Sequence, residues 1–284
     1  MESLHNFSCG ISLSIYCIIN NLSIRKARYE MKIQVLVAAM NQKDHSLLKS
    51  MNIQSDAIIG NQCDFNLIDN FDWNGYKITY LNFNERGVGL NRNNALMRAQ
   101  ADICLFADDD MIYEEGYPKL VLGAFQRHPD ADVIIFNLKE KNPKRYIIKK
   151  DIRINYFNYL RYGAARIAVK LSSIHEKGIF FNLCFGGGAK YRHGEDNLFL
   201  NSCLEKHLKI YGVPEFIASL SEDRVSTWNQ GHDDKYFRDQ GILYKTISPR
   251  WWWLLCIRDA FKYRKIENIS IVDILKKMGL FAMV

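Results

Sequence analysis

Short apolar runs rich in β-branched residues, each followed by a polar turn and a helix-compatible stretch, dominate the chain from Met31 to Leu138. IQVLVAA (Ile33 to Ala39), AIIG (Ala57 to Gly60) and ICLFA (Ile103 to Ala107) are too continuous for strands with one wet face. Such runs suit strands buried on both faces, as in a parallel sheet covered by helices. Tyr76 to Phe83 and Asp132 to Leu138 read as further strands. Asn41 to Met51, Asn91 to Gln100 and Tyr117 to Arg127 read as the helices between them. The alternation predicts an α/β domain with a mostly parallel central sheet flanked by helices.

A chain of 284 residues is long for one compact domain and short for two. One main domain with appendages is expected over 31–245, with its halves at 31–138 and 139–245. The second half is less regular. Arg166 to Leu171 and Ile179 to Phe185 look strand-like, Gly186-Gly187-Gly188 breaks the pattern, and Asn197 to His207 reads as a helix. Residues 246–284 form a helical tail, aromatic and then basic. Residues 1–30 are expected to be a dispensable leader, since Met31 directly precedes the first convincing strand. Ser3 to Ile24 lacks charge, but its dense apolar part, Ile11 to Ile19, is short for the ~20 residues of a membrane span. The basic residues that a signal peptide places first (here Arg25, Lys26 and Arg28) come after that run. A membrane anchor is the alternative reading of this segment.

The net charge of +7 fits a nucleotide, an anionic membrane or nucleic acid, and does not choose among them. The positive charge is split between Lys139 to Lys150 and the region beyond Arg250, and no nucleic-acid module signature accompanies it. Nucleic acid is therefore not the expected partner. The seven cysteines are odd in number, scattered, and without a C-x-x-C pair, which argues against a zinc knuckle or disulfide framework. A reducing cytoplasm is expected.

The sharpest local signal is Asp108-Asp109-Asp110 at the end of the buried run ICLFA. In open α/β sheets ligands bind beyond the carboxyl ends of the strands. Adjacent carboxylates repel one another, and a hard divalent cation, Mg²⁺ or Mn²⁺, relieves that repulsion. Such an ion can bridge two phosphates and stabilise a departing diphosphate. The alternative is that one Asp caps the next helix and the others are solvated.

ERGVGLNRNNALMRAQADICLFADDD (Glu85 to Asp110) resembles the donor-binding half of family 2 glycosyltransferases: a Gly loop, an Arg-Asn pair opening a helix, an apolar strand and a D-x-D. FGGGAKYRHGEDNLFL (Phe185 to Leu200) is similar to that family's acceptor-side motif, a Gly-rich loop leading to Glu-Asp at a helix start. The second strand with Asp64 looks like the family's acidic loop, although NQCD stands where two acidic residues and Gly-Ser are commoner. The resemblance runs over roughly Met31 to Ile217. It implies a GT-A type fold and an inverting, metal-dependent transfer of sugar from a nucleotide-diphosphate donor, UDP-linked by family habit. A glycan or lipid-linked oligosaccharide of surface or capsular polysaccharide synthesis is the implied acceptor.

By the same resemblance Asp196 is the expected general base, with Glu195 beside it on an acceptor hydroxyl. Asp110 is the expected principal metal ligand, Asp108 a metal or ribose contact, and Asp64 a nucleoside contact. Arg92, with Asn93 next to it, is expected to approach the diphosphate. His232, in GHDD, matches a late histidine that relatives use near the metal. Each has an ordinary alternative: Asp196 a helix N-cap, Arg92 an exposed helix residue, Asp64 a turn residue, His232 a histidine without special duty. The block Arg250-Trp251-Trp252-Trp253-Leu254-Leu255, followed by Arg258, Lys262, Arg264 and Lys265, suits an interface with anionic lipid. A peripheral place on the inner face of the cell membrane is therefore expected, with packing on the catalytic domain as the alternative. Two rival functions remain at this stage. A nucleotidyltransferase would want a Gly-rich loop after the first strand, where AAMNQKDHS has no glycine. A non-catalytic carbohydrate binder or scaffold would tolerate loss of the acidic clusters, and both are intact.

Overall fold

The computed structural model of the protein describes residues 31–141, 145–221 and 231–281. The expected leader, 1–30, lies outside them, as do residues 142–144 of the basic run. The chain divides into the units Met1–Lys32 and Ile33–Val284, and the second contains every element named below.

The described strands, in chain order, are β1 (Ile33–Met40), β2 (Asp56–Gln62), β3 (Leu67–Trp73), β4 (Tyr76–Phe83) and β5 (Ile103–Asp108). They continue with β6 (Met111–Tyr113), β7 (Val133–Lys139), β8 (Ile152–Ile154), β9 (Ile167–Lys170) and β10 (Ile210–Leu220). They join in one sheet of order β3-β4-β2-β1-β5-β9-β7-β10-β6, with β8 on the side of β10. The block β4-β2-β1-β5 is wholly parallel. The other half is mixed: β9 runs antiparallel to both β5 and β7, while β7 and β10 pair parallel. The continuous apolar runs behave as their composition demands, with Val35, Leu36, Val37, Ile59 and Ile103 to Ala107 buried between helical layers.

The helices are α1 (Ser46–Ser50), α2 (Val88–Arg98), α3 (Tyr117–Arg127), α4 (Leu171–Lys177), α5 (Glu195–Glu205), α6 (Asp234–Ile247), α7 (Trp252–Glu267) and α8 (Ile271–Lys277). The helix expected over Asn41 to Met51 shrinks to α1. Asn41 takes a left-handed φ of 52° and donates to Gln62 O, and the Asp44 side chain accepts from Ser46 N at 2.9 Å to start the helix later. Ile179 to Phe185 is not a sheet strand. Its backbone is tied at Phe181 to the Asn93 carboxamide, which takes the place of a ladder partner. Strands β3, β6, β8 and β10 and helices α4 and α6 went unpredicted, and three of them show why. The polar edge strand β3 forms a hairpin with β4 through Asn74-Gly75, both at positive φ as a type I′ turn requires. Strand β10 carries Pro214 at an irregularity in its pairing with β7. Helix α6 starts at Asp233, whose side chain accepts from Tyr236 N at 2.8 Å.

The main core lies beneath the carboxyl edge of the parallel block. There Phe106 of β5 meets Phe181 and Phe199 edge-on at 5.0 and 5.4 Å, and those two rings stack at 4.4 Å. This aromatic triad joins a donor-side strand, the 179–185 segment and α5 into one packed body. A second cluster, built on Phe237, Tyr244, Cys256, Ala260, Tyr263 and Ile274, unites α6, α7 and α8. The tail is thus helical as expected, and it is packed rather than extended.

Candidate active site

Parallel pairing aligns the strand ends. Ala38 lies opposite Asp108, Met40 opposite Gln62, and Gln62 opposite Phe83. Backbone carbonyls and amides at such an edge lose their ladder partners, so polar side chains gather there to replace them. Asn61, buried, accepts from Gln42 N at 2.9 Å and donates to Gln42 O and to Asn82 Oδ1. Gln62 Oε1 accepts from Gly87 N at 2.8 Å. Sequence reasoning did not assign these amides, although their place directly after apolar strands is the same signal that singled out the aspartates.

The three aspartates divide their work. Asp109 turns back to β1 and accepts from Gln42 Nε2 at 3.2 Å and Met40 N at 3.4 Å, a structural task. Asp108 accepts from Arg92 Nη2 at 2.7 Å. Asp110 is half-buried beside the other two. Burial, then Asp108 and Asp109, push its pKa upward, so the site favours a positive charge beside it. Among the described residues no group of three or more His, Cys, Asp or Glu side chains is arranged to hold a metal. Asp108 and Asp110 are two carboxylates that a hard divalent ion could share with phosphate oxygens and water.

Arg92 is the centre of the site. It is buried, not an exposed helix residue, and it spans two motifs: Nη2 to Asp108 and Nη1 to Glu195 Oε1 at 2.9 Å. Burial alone would lower its pKa, but the two carboxylates outweigh it and hold the guanidinium charged. Arg92 thus ties the D-x-D strand to the Glu-Asp helix. Asn93 is committed elsewhere: Nδ2 donates to Phe181 O at 2.9 Å and Oδ1 accepts from Phe181 N at 2.8 Å. Its structural task is to hold the floor of the site.

Glu195 and Asp196 open α5, where the helix dipole favours negative charge. Neither acts as the N-cap; that position is Gly194 in a left-handed conformation. Burial, then the adjacent Glu195, raise Asp196 to about 7, against a smaller opposing pull from Arg92. Gly186 sits close above, at φ +103°, and a Cβ there would lie 2.8 Å from the Glu195 carboxyl. The Gly loop therefore has to be Gly. It also meets the donor loop directly, since Val88 N donates to Gly187 O at 2.8 Å.

Asp64 lies at the rim, 88% exposed and paired with Arg86 at 2.7 Å. His232 is placed among the C-terminal helices. Its Nδ1 meets Glu267 at 2.5 Å, and its ring packs against Tyr236 and Tyr263, both 4.7 Å away between centroids. Coordinating a metal would require it to give up that setting. The structure thus brings together Asp108, Asp110, Arg92, Glu195 and Asp196 and leaves His232 in the helical cluster.

The family model described as Glycosyl transferase family 2 matches residues 66–184. The match includes Arg92 and the aspartate triplet and stops before Glu195-Asp196. No curated protein matches the sequence. Among solved structures, the chain is similar to S. aureus TarS 1-349 in complex with UDP-GlcNAc, with a TM-score of 0.56 and 15% identity over 75% of this chain and 66% of that one. The same fragment in complex with UDP gives 0.54 at 15% identity over 75% and 64% of the two chains. S. aureus TarS in a longer form gives 0.53 at 15% identity over 77% and 40%. The chain therefore spans about two thirds or less of the length of these proteins, and the likeness is one of fold. The chain is thus similar to family 2 glycosyltransferases over residues 66–184 and shares the GT-A fold of these solved structures.

Proposed function

We propose that the protein transfers a sugar from a nucleotide-diphosphate donor, UDP-linked, to a glycan or lipid-linked acceptor in surface polysaccharide synthesis, with inversion at the anomeric carbon. The observation that carries this reading is the Arg92 bridge, which sets the D-x-D end of β5 and the Glu-Asp start of α5 on one edge of the sheet. The binding of UDP-GlcNAc and UDP by TarS supports the choice of donor class. The nucleotide would lie across the ends of β1 and β2, with Asp64 near the nucleoside. Asp110 and Asp108 would hold Mg²⁺ or Mn²⁺, which supplies positive charge to the diphosphate.

In this scheme Asp196 removes the proton of the acceptor hydroxyl as that oxygen attacks the anomeric carbon. The carbon–oxygen bond to the diphosphate breaks on the opposite face, and the nucleoside diphosphate leaves. A carboxylate raised to about 7 is well matched to this work, because it holds a proton strongly yet is ionised in good part near neutrality. Glu195, fixed by Arg92, orients an acceptor hydroxyl. Release of nucleoside diphosphate from a panel of nucleotide-sugars, with and without Mn²⁺, tests the scheme. Metal-dependent release from one donor, lost in Asp110→Ala and slowed in Asp196→Ala, is expected. The absence of both turnover and metal-dependent nucleotide binding overturns it.

The reading extends to a cytoplasmic protein docked on the inner face of the membrane. Among the described residues no helix is long and apolar enough to cross a membrane. Helix α7 and its approach nevertheless expose Trp251, Trp253, Leu254 and Phe261 beside Arg250, Lys262, Arg264 and Lys265. Co-sedimentation with vesicles containing phosphatidylglycerol, reduced in a Trp253→Glu/Phe261→Glu variant, is the expected result. Equal binding by the variant rules out this face.

A further inference from the structure

A cavity of about 180 Å³ lies between the acceptor loop and the C-terminal helices, and the scheme above gives it no part. Its walls come from three places: His193 and Asn197 around the start of α5, Leu160 in the turn Tyr159–Arg161, and the facing sides of α6 and α7. Leu160 is the one aliphatic residue of this lining. Three tyrosines and several amide and charged groups make up most of the rest. An empty apolar cavity can stay dry, but a polar one needs an occupant that satisfies its walls.

Part of the lining is already locked. Asp259, buried, accepts from the Tyr244 hydroxyl and from Arg258 at 2.9 Å, and Gln240 is held between His193 at 2.6 Å and Asp259 at 3.5 Å. Two groups are left over. The Asn197 carboxamide has no hydrogen-bond partner among the described residues. Among the described residues the Lys262 ammonium has only the Tyr263 ring, at 4.9 Å. Rigid, preset polar groups with aromatic rings and a few uncommitted donors suit a ligand that carries hydroxyls on an apolar ring.

The position is as informative as the chemistry. Asn197 follows Asp196 directly. Gly163, three residues beyond Leu160, approaches the same carboxylate so closely that a Cβ on it would lie 3.2 Å from Asp196 Oδ2. Two of the cavity's walls are thus also walls of the base. We propose that this cavity is an acceptor subsite that seats one sugar ring of the acceptor glycan, next to the ring whose hydroxyl faces Asp196. This rests on the transferase reading. It adds that the C-terminal helices, which lie outside the family match, select the acceptor.

Saturation-transfer NMR on the full chain tests it. The probes are the methyl glycosides of glucose, galactose, mannose, N-acetylglucosamine and N-acetylgalactosamine, each with and without saturating UDP. At least one glycoside is expected to bind, to remain bound in the presence of UDP, and to bind about tenfold more weakly in Asn197→Ala, the scale of one or two lost hydrogen bonds. Leu160→Trp, which fills the cavity without removing a polar group, is expected to have the same effect. Unchanged melting curves show that both variants fold. The proposal is overturned if no glycoside binds, if UDP displaces those that do, or if binding survives both substitutions. UDP-sugar binding in the same samples is scored separately, so failure of the donor reading is distinguishable from failure of the subsite.

Discussion

The two sides of the site are built by different means. The donor side is made of strand ends, and its carboxylates sit where a parallel ladder puts them: Asp108 is in register with Ala38 and one residue from Asp109, which is tied back to β1. The acceptor side hangs on a loop, and helix α6 braces that loop from outside. Arg192 forms a two-pronged pair with Asp233, its backbone N donates to Asp239, and His193 is held by Gln240. Backbone pairing resists drift more than side-chain contacts do. On the proposed reading, donor chemistry belongs to strand ends, of which the family model matches β3 to β9, and acceptor geometry to a loop and helices beyond residue 184. Arg92 bonds to both sides.

The largest expected effect separates the two sides cleanly. Asp196→Asn should lower the rate of transfer by about 10²–10⁴-fold, the usual worth of a general base, while calorimetry shows unchanged affinity for UDP. A matching loss of UDP affinity would break the division. Next comes the coupling itself. Arg92→Met leaves Glu195 buried without its cation and should cost about 3–5 kcal/mol in urea unfolding, largely recovered in the double variant with Glu195→Gln. A cost below about 1 kcal/mol would mean that the sides stand independently.

Smaller effects sharpen the picture. With Asp196 at about 7, transfer should increase as pH rises through neutrality and level off above it, and a flat profile from pH 6 to 8 would deny Asp196 the base role. The stability sign is opposite. The native state holds this proton more tightly than the unfolded chain does, so the group's stabilisation is full below about pH 4 and is lost as pH rises through about 7. Asp196→Asn should therefore melt higher than the parent at pH 8 and equally at pH 4. Smallest, Asn93→Ala strands the buried amide and carbonyl of Phe181, at about 1–3 kcal/mol. It should perturb both sides equally, because Phe181 lies under both.

What could be read in the chain follows the same line. Buried parallel strands carry their fate in local composition, so β1, β2, β4 and β5 were legible, and so was the aspartate triplet at the end of β5. Features fixed by distant partners were not. Arg92 was expected at the diphosphate, but its bridge could not be read, because Asp108 and Glu195 converge on it from 16 and 103 positions away. His232 resembles a metal-side histidine until the fold sets it against Glu267. Strand β3 escaped because its alternating polar pattern is that of a loop, although Asn74-Gly75 between Trp73 and Tyr76 is a strong hairpin signal. Strand β10 escaped because Pro214 interrupts it. The role of Asn93 could not be read at all, since it depends on a segment 88 residues later.

One contact in the appendage has a practical consequence. Helix α6 meets the end of α8 backbone to backbone: a Cβ on Gly241 would lie 2.0 Å from the carbonyl oxygen of Met278. No side chain cushions that joint, so displacement of α8 is passed straight to α6, and from α6 to Arg192, His193 and Gly194, whose backbone presses on Leu243. A rigid fusion or an affinity handle placed against α8 is therefore no neutral addition, and an assay run on such a preparation would report on a distorted loop.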